Sequence, residues 1–210
     1  MLLRSRSPRG FTLLELMIVV VMIGIIVTLS VPAISSQLRE RRANQAAHEI
    51  ALIFRQARAR AMGRGAAVMV RFDSAVVSQG TVELREARDP TSNDAFTQRC
   101  IDRPVTSCQG TTWDTSSLNN HLVTSFDPSG TNTGVYHNVQ LKFMGPDQLD
   151  AGTAVDVCFS PLGRPFWRKA HTGTFEAMNV VPYVEVSPID GMGRTRNVLV
   201  LPTGASRLAL

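Results

Sequence analysis

Residues Gly10 to Pro32 read GFTLLELMIVVVMIGIIVTLSVP, and between Leu13 and Val31 the only charged side chain is Glu15. A helix over that apolar run extends about 28 Å at about 1.5 Å per residue, close to the hydrocarbon thickness of a bilayer. It is long enough to cross a membrane. A charge inside such a helix costs on the order of 2.5–3.5 kcal/mol near the bilayer centre and less toward an end, so Glu15 calls for a compensating partner.

Ahead of the run, MLLRSRSPRG (residues 1–10) is short and basic, a segment that the positive-inside rule holds on the cytoplasmic side. A secretory signal cut near Val31–Ala33 is one alternative and a plain single-pass anchor is another; both leave Glu15 without a role. The chain of 210 residues carries a formal net charge of +5, to which Arg4, Arg6 and Arg9 contribute three charges that disappear with any removed leader. The basic balance therefore does not by itself point to nucleic acid. With 44% hydrophobic and 19% charged residues, the remainder is long enough to bury a core.

Past Pro32, where a missing backbone donor predicts a kink, helical periodicity continues to about Met62 and ends at Gly63 and Gly65. Ala43, Ala46, Ile50, Ile53, Phe54, Ala57 and Ala61 fall on one face, predicted to carry the globular part. Arg41, His48 and Arg55 fall on the opposite face, predicted to look outward. The pattern then turns to extended segments at Ala66–Phe72, Thr81–Ala87, His121–Phe126, Val135–Phe143, Ala154–Ser160, Val180–Ser187 and Arg196–Leu201, each bounded by turn residues. With no second amphipathic helix between them, the expected fold class is α+β: a long N-terminal helix, its first half transmembrane, on an antiparallel β-sheet domain. The expected divisions are 1–10 leader, 11–33 apolar helix, 34–62 amphipathic helix and 63–210 β-rich domain.

Of the three cysteines, Cys100 and Cys108 flank a polar loop and are expected to pair if the domain lies outside the cytoplasm, with all three reduced as the alternative. Cys158, inside the apolar AVDVCFS, is expected to be a buried free thiol. Trp113 lies in the long polar stretch 88–120 and is read either as loop packing or as a contact residue. His48, His121, His137 and His171 are scattered, without metal-ligand spacing or a nucleophile elbow, so neither an enzyme nor a cofactor or metal site is expected.

Gly10, Phe11, Thr12, Leu13, Leu14 and Glu15 resemble the prepilin cleavage motif of type IV pilins and type II secretion pseudopilins. The resemblance implies that a membrane prepilin peptidase cuts between Gly10 and Phe11 and methylates the new amine on Phe11. Glu15 becomes the fifth mature residue, and Gly24 and Pro32 fall where many members have glycine and proline; these three are the assembly residues the resemblance implies. In a packed filament a Glu15 carboxylate could pair with the Phe11 amine of a neighbouring subunit, so that two costly charges offset each other. CFSPLGRP (158–165) and VLVLPTG (198–204) resemble strand-turn elements of the GspH/FimT/FimU group of minor pilins and pseudopilins, whose soluble part is a pair of β-sheets against the helix.

This resemblance implies a minor pilin that takes part in initiation or tip assembly of a type IV pilus. Its partners would be other minor pilins, the major pilin, the prepilin peptidase and the inner-membrane assembly platform. Its place would be the bacterial inner membrane, single-pass with a periplasmic C-terminal domain, and then the pilus base or tip. A minor pseudopilin of type II secretion is the alternative within the family. A DNA-binding pilin is the third reading: some FimT-like relatives use a Gly-Arg-x-Arg motif, and Gly193, Arg194, Thr195 and Arg196 spell one, with Arg207, Arg164, Arg168 and Lys169 as further basic residues. The tetrad precedes the last expected strand instead of lying in the terminal turn, and a scattered basic surface is the competing account.

Overall fold

The computed structural model describes residues 11–75, 77–87, 105–114, 120–129, 136, 139–145, 150–179, 181–191 and 193–209, without the side chains at 29, 31–33 and 111. One α-helix, α1, runs from Leu13 to Arg64, and its helical assignment continues through position 32. The chain divides into two compact units at Leu38/Arg39.

In the first unit α1 starts behind Thr12, whose Oγ1 accepts the Glu15 N–H at 3.2 Å while its carbonyl accepts the Leu16 N–H at 3.2 Å. Thr12 is thus the N-cap, satisfying a donor that the helix itself leaves without a partner. The side chains that follow are exposed on every side, from Leu13 and Leu14 through Ile18, Met22 and Ile26. Thr28 Oγ1 donates to the Ile25 carbonyl at 2.8 Å and Ser30 Oγ to the Ile26 carbonyl at 2.7 Å, so both hydroxyls spend their protons on the helix.

In the second unit the rest of α1 meets two antiparallel sheets. The strands are β1 (Val68–Asp73), β2 (Thr81–Ala87), β3 (Asn120–Phe126), β4 (Val139–Met144), β5 (Ala154–Phe159), β6 (Pro165–Lys169), β7 (Glu176–Ala177), β8 (Tyr183–Pro188), β9 (Arg196–Val200) and β10 (Ser206–Ala209). They form a six-stranded sheet in the order β3-β2-β1-β5-β6-β7 and a four-stranded sheet in the order β10-β9-β8-β4. All seven helix residues expected to face inward are buried, and Arg41, His48 and Arg55 are exposed.

The main core joins all three layers. Phe54 of α1 meets Phe159 of β5 edge-on at 6.5 Å, and Phe72 of β1 meets Phe143 of β4 at 6.0 Å. Ser206 Oγ ties the four-stranded sheet to the helix by donating to the Ala51 carbonyl at 3.0 Å. Strand alternation then decides what the larger sheet offers on its other face. Val68, Val70 and Phe72 of β1 and Val155, Val157 and Phe159 of β5 enter the main core. Met69 and Cys158 point the other way and form a second cluster with Ala67, Cys108, Trp113 and Phe175.

Three strands were not expected from the sequence: β6, β7 and β10. Each is short, and β6 opens on a proline, tolerated at the first position of a strand, and ends on Arg168 and Lys169. The expected strand at 135–143 is found at Val139–Met144, and 135, 137 and 138 lie outside the described residues.

The cysteine pairing differs from expectation. Cys108 is bonded to Cys158, with Cα atoms 5.8 Å apart, so it is not available to Cys100, which lies outside the described residues. The physical reason is the sheet. The Ala67 N–H donates to the Val105 carbonyl at 2.6 Å, which lays the segment after residue 104 beside the start of β1, and β5 is the next strand over. Cys158 is therefore a buried half-cystine and not a free thiol.

Candidate functional site

Two places carry chemistry that packing alone does not require: the start of α1 and a buried charged row behind the disulfide. At the first, Phe11 is 82% exposed and precedes the helix, Glu15 is exposed in the first turn, and a Cβ built on Gly24 meets nothing within 4 Å. Gly10 lies outside the described residues, as does the side chain of Pro32. Thr12 was not singled out in the sequence, although Thr-Leu-Leu-Glu at 12–15 has the spacing of a capping box. Among the described residues no helix is long and apolar enough to cross a membrane. The described side chains of the apolar segment run from Leu13 to Thr28, about 24 Å at about 1.5 Å per residue.

The second place is built from the pairing of three strands. Arg71 of β1 stands directly opposite Asp156 of β5, and Asp156 opposite Arg168 of β6. All three side chains are buried. Arg71 grips Asp156 in a fork, Nε to Oδ1 at 2.8 Å and Nη2 to Oδ2 at 3.0 Å, while Arg168 places Nε at 3.0 Å and Nη2 at 2.8 Å from Oδ2. His171 brings Nδ1 to 3.1 Å from Asp156 Oδ1 and Nε2 to 3.2 Å from Asp73 Oδ2. Burial alone would raise the Asp156 carboxyl, but the hydrogen bonds from His171 and Arg71 outweigh it and hold the group below its ordinary value.

The row also reaches the segment Val105–Asp114. The Trp113 carbonyl accepts from Arg71 Nη2 at 2.6 Å and from Arg168 Nη2 at 2.8 Å, and Asp114 Oδ1 accepts from Arg168 Nη1 at 3.0 Å. Arg168 further lies over the Phe175 ring at 4.4 Å. Trp113 is fully buried, its Nε1 donating to the Ser107 carbonyl at 3.2 Å, so it packs the loop and is not a surface contact. A sequence signal for the row existed: Arg71 in VMVRFD and Asp156 in AVDVCF are charges inside otherwise apolar strands.

Of the basic residues considered for DNA, Arg164 and Lys169 are exposed. Arg194 and Arg207 are exposed as well, whereas Arg196 is 8% exposed and bonded through Nε to Asn44 Oδ1, and Arg168 is consumed by the buried row. Arg196 and Arg168 therefore do not stand ready for phosphate. Among the described residues no group of three or more His, Cys, Asp and Glu is placed to hold a metal ion.

Residues 5–31 match the family model of the prokaryotic N-terminal methylation motif. No curated relative matches the chain. Two crystal forms of the type IV minor pilin FimU of Pseudomonas aeruginosa strain PAO1 are similar in structure. The P21 form aligns over 81% of this chain and 90% of that one at 10% identity with a TM-score of 0.45. The P65 form aligns over 80% and 92% at 10% identity with a TM-score of 0.44.

Proposed function

We propose that this chain, which carries the prokaryotic N-terminal methylation motif over residues 5–31, is a minor pilin: a prepilin cut between Gly10 and Phe11, methylated on Phe11, and built into a type IV pilus as a minor subunit. The observation that carries the reading is the order of features at the start of the chain. The cut site comes before the apolar helix, Thr12 caps that helix directly behind Phe11, and Glu15 is the single charge in its apolar run.

Before assembly the run from Leu13 to Val31 crosses the inner membrane, with the β domain on the periplasmic side. Its hydroxyls suit that setting, because Thr28 and Ser30 already donate within the helix. After the cut, helices of this kind pack by van der Waals fit and polar pairing, since lipid solvates apolar side chains as well as another helix does. Glu15 then supplies a register by pairing with the Phe11 amine of the neighbouring subunit. The other minor pilins and the major pilin are the partners, and contacts of the β domain select among them at the initiating or tip complex.

Mass spectrometry of the protein from its native membrane tests the reading: a mature N-terminus at methylated Phe11 is expected, and an N-terminus near Ile34 or an intact Met1 would overturn it. Deletion separates pilus from secretion, with loss of surface pili expected and loss of exoprotein secretion alone assigning the chain to a type II system. DNA uptake is not favoured, because Arg168 and Arg196 are engaged within the domain.

A further inference from the structure

Residues Val105–Asp114 form a strap across the outer face of the six-stranded sheet, fastened in three ways. Its start is held by the Ala67–Val105 backbone bond. Its middle is held by Cys108–Cys158 and by the Gln109 side chain, which donates from Nε2 to the Phe175 carbonyl at 2.6 Å and accepts the Phe175 N–H on Oε1 at 3.2 Å. Its end is held by the Trp113 side chain, fully buried in the second cluster, and by polar contacts: the Trp113 carbonyl on Arg71 and Arg168 and Asp114 on Arg168, all of the charged row, and the Thr112 carbonyl on Asn120 Nδ2 at 3.2 Å. Beneath the closed strap Cys108 is 5% and Cys158 0% exposed.

We propose that the Arg71–Asp156–Arg168 row is a clasp: by keeping the strap closed, it controls whether the Cys108–Cys158 disulfide can be reduced. The co-reactant is a dithiol. Its thiolate attacks one cysteine Sγ along the sulfur–sulfur axis, and the electron pair of the broken bond leaves on the other Sγ. The second thiol of the reductant, deprotonated, then resolves the mixed disulfide. Two electrons pass to the protein, both cysteines end as thiols carrying two protons, and the reductant closes to its own disulfide. A thiolate cannot line up on sulfurs packed among Met69, Trp113 and Phe175. The strap has to lift first, and the clasp contacts at Trp113 and Asp114 oppose that together with the burial of the Trp113 side chain. The reduction rate therefore follows the population of the open strap, a local opening with its own equilibrium. Asp156 and Cys158 share a strand face, so the acceptor at the centre of the clasp and the bond it guards are mounted on the same rigid element.

The test uses the full chain in detergent micelles. Thiols free beforehand are blocked with N-ethylmaleimide, dithiothreitol is added at fixed pH, and newly freed thiols are counted by the mass shift of a second alkylating agent over time. Wild type is expected to resist the dithiol, Arg168→Gln to be reduced at least tenfold faster, and Arg39→Gln, which removes the ion pair to Asp190 elsewhere in the domain, to keep the wild-type rate. The proposal fails if wild type is reduced as fast as the urea-unfolded chain. It fails equally if Arg168→Gln, folded by circular dichroism, is reduced at the wild-type rate, or if Arg39→Gln accelerates reduction as much. Should Arg168→Gln not fold, Asp114→Asn leaves both arginines in place and is expected to speed reduction at least threefold; an unchanged rate there overturns the clasp.

Discussion

Gly204 lies so close to Gly163 that a Cβ built on it would fall 2.2 Å from the Gly163 carbonyl oxygen. The contact joins the two sheets, since Gly163 sits in the β5–β6 turn and Gly204 in the β9–β10 turn, and both press on Arg58 of α1. Gly204 also has φ +82°. Alanine there meets a fixed backbone atom as well as an unfavourable dihedral, which together cost on the order of 2–3 kcal/mol. Gly173 has φ +97° but open space, so Gly173→Ala carries the dihedral strain alone, about 1 kcal/mol. Thermal unfolding of the two variants should separate by roughly 2–8 °C for a domain of this size, with Gly204→Ala the lower. Equal losses would contradict the close approach of the turns.

Phe54 is 1% exposed at the point where α1 meets β5. Phe54→Ala leaves a cavity that neither the helix nor the sheet can close, and is expected to cost about 3–5 kcal/mol. Leu52, two positions away and 59% exposed, should tolerate alanine within about 0.5 kcal/mol. Urea unfolding of both variants checks the difference.

These helix positions were legible because a 3.6-residue period survives in any sequence that buries one stripe of a long helix. β1, β2, β3, β5, β8 and β9 were legible for the parallel reason that each alternates or carries an apolar run between turn residues. β7 and β10 are only two and four residues long, and β6 opens on a proline and ends on Arg168 and Lys169, which breaks the pattern. The start of the chain was the clearest of all, since Glu15 is conspicuous in an apolar run. The charged row and the disulfide were not legible, although their members were in plain view. Arg71 and Asp156 are 85 positions apart, and Cys108 and Cys158 are 50 apart; only the β1–β5 pairing puts the first pair opposite each other. Proximity in sequence favoured Cys100 for Cys108, and strand order overruled it.

Arg71→Met keeps much of the side-chain length but leaves Asp156 short of its forked partner in a buried site. Removing one member of such a pair is expected to cost about 3–5 kcal/mol, more than the pair as a whole contributes. Asp156→Asn in the Arg71→Met background should cost clearly less than in wild type, because the charge it neutralises has already lost that partner. A double-mutant cycle in urea should show coupling of at least about 1 kcal/mol. Strict additivity would mean that the row does not act as a unit.

Acid should unfasten the same row. The Asp156 carboxyl is held below its ordinary value in the folded chain, whereas in the unfolded chain it titrates near about 3.9. Above that unfolded value the carboxylate is charged in both states and its contribution to stability is complete. As pH falls below about 4 the unfolded chain takes up the proton first, so stability declines, and the contribution is gone once pH has fallen through the lower folded value. Urea midpoints measured from pH 7 to pH 2 are therefore expected to be nearly flat to about pH 5 and to fall steeply below pH 4. The diagnostic quantity is the difference from Asp156→Asn. That variant starts lower at neutral pH and should lose less between pH 4 and pH 2, bringing the two curves together at the acid end. Parallel curves over that interval would show that Asp156 carries no depressed titration.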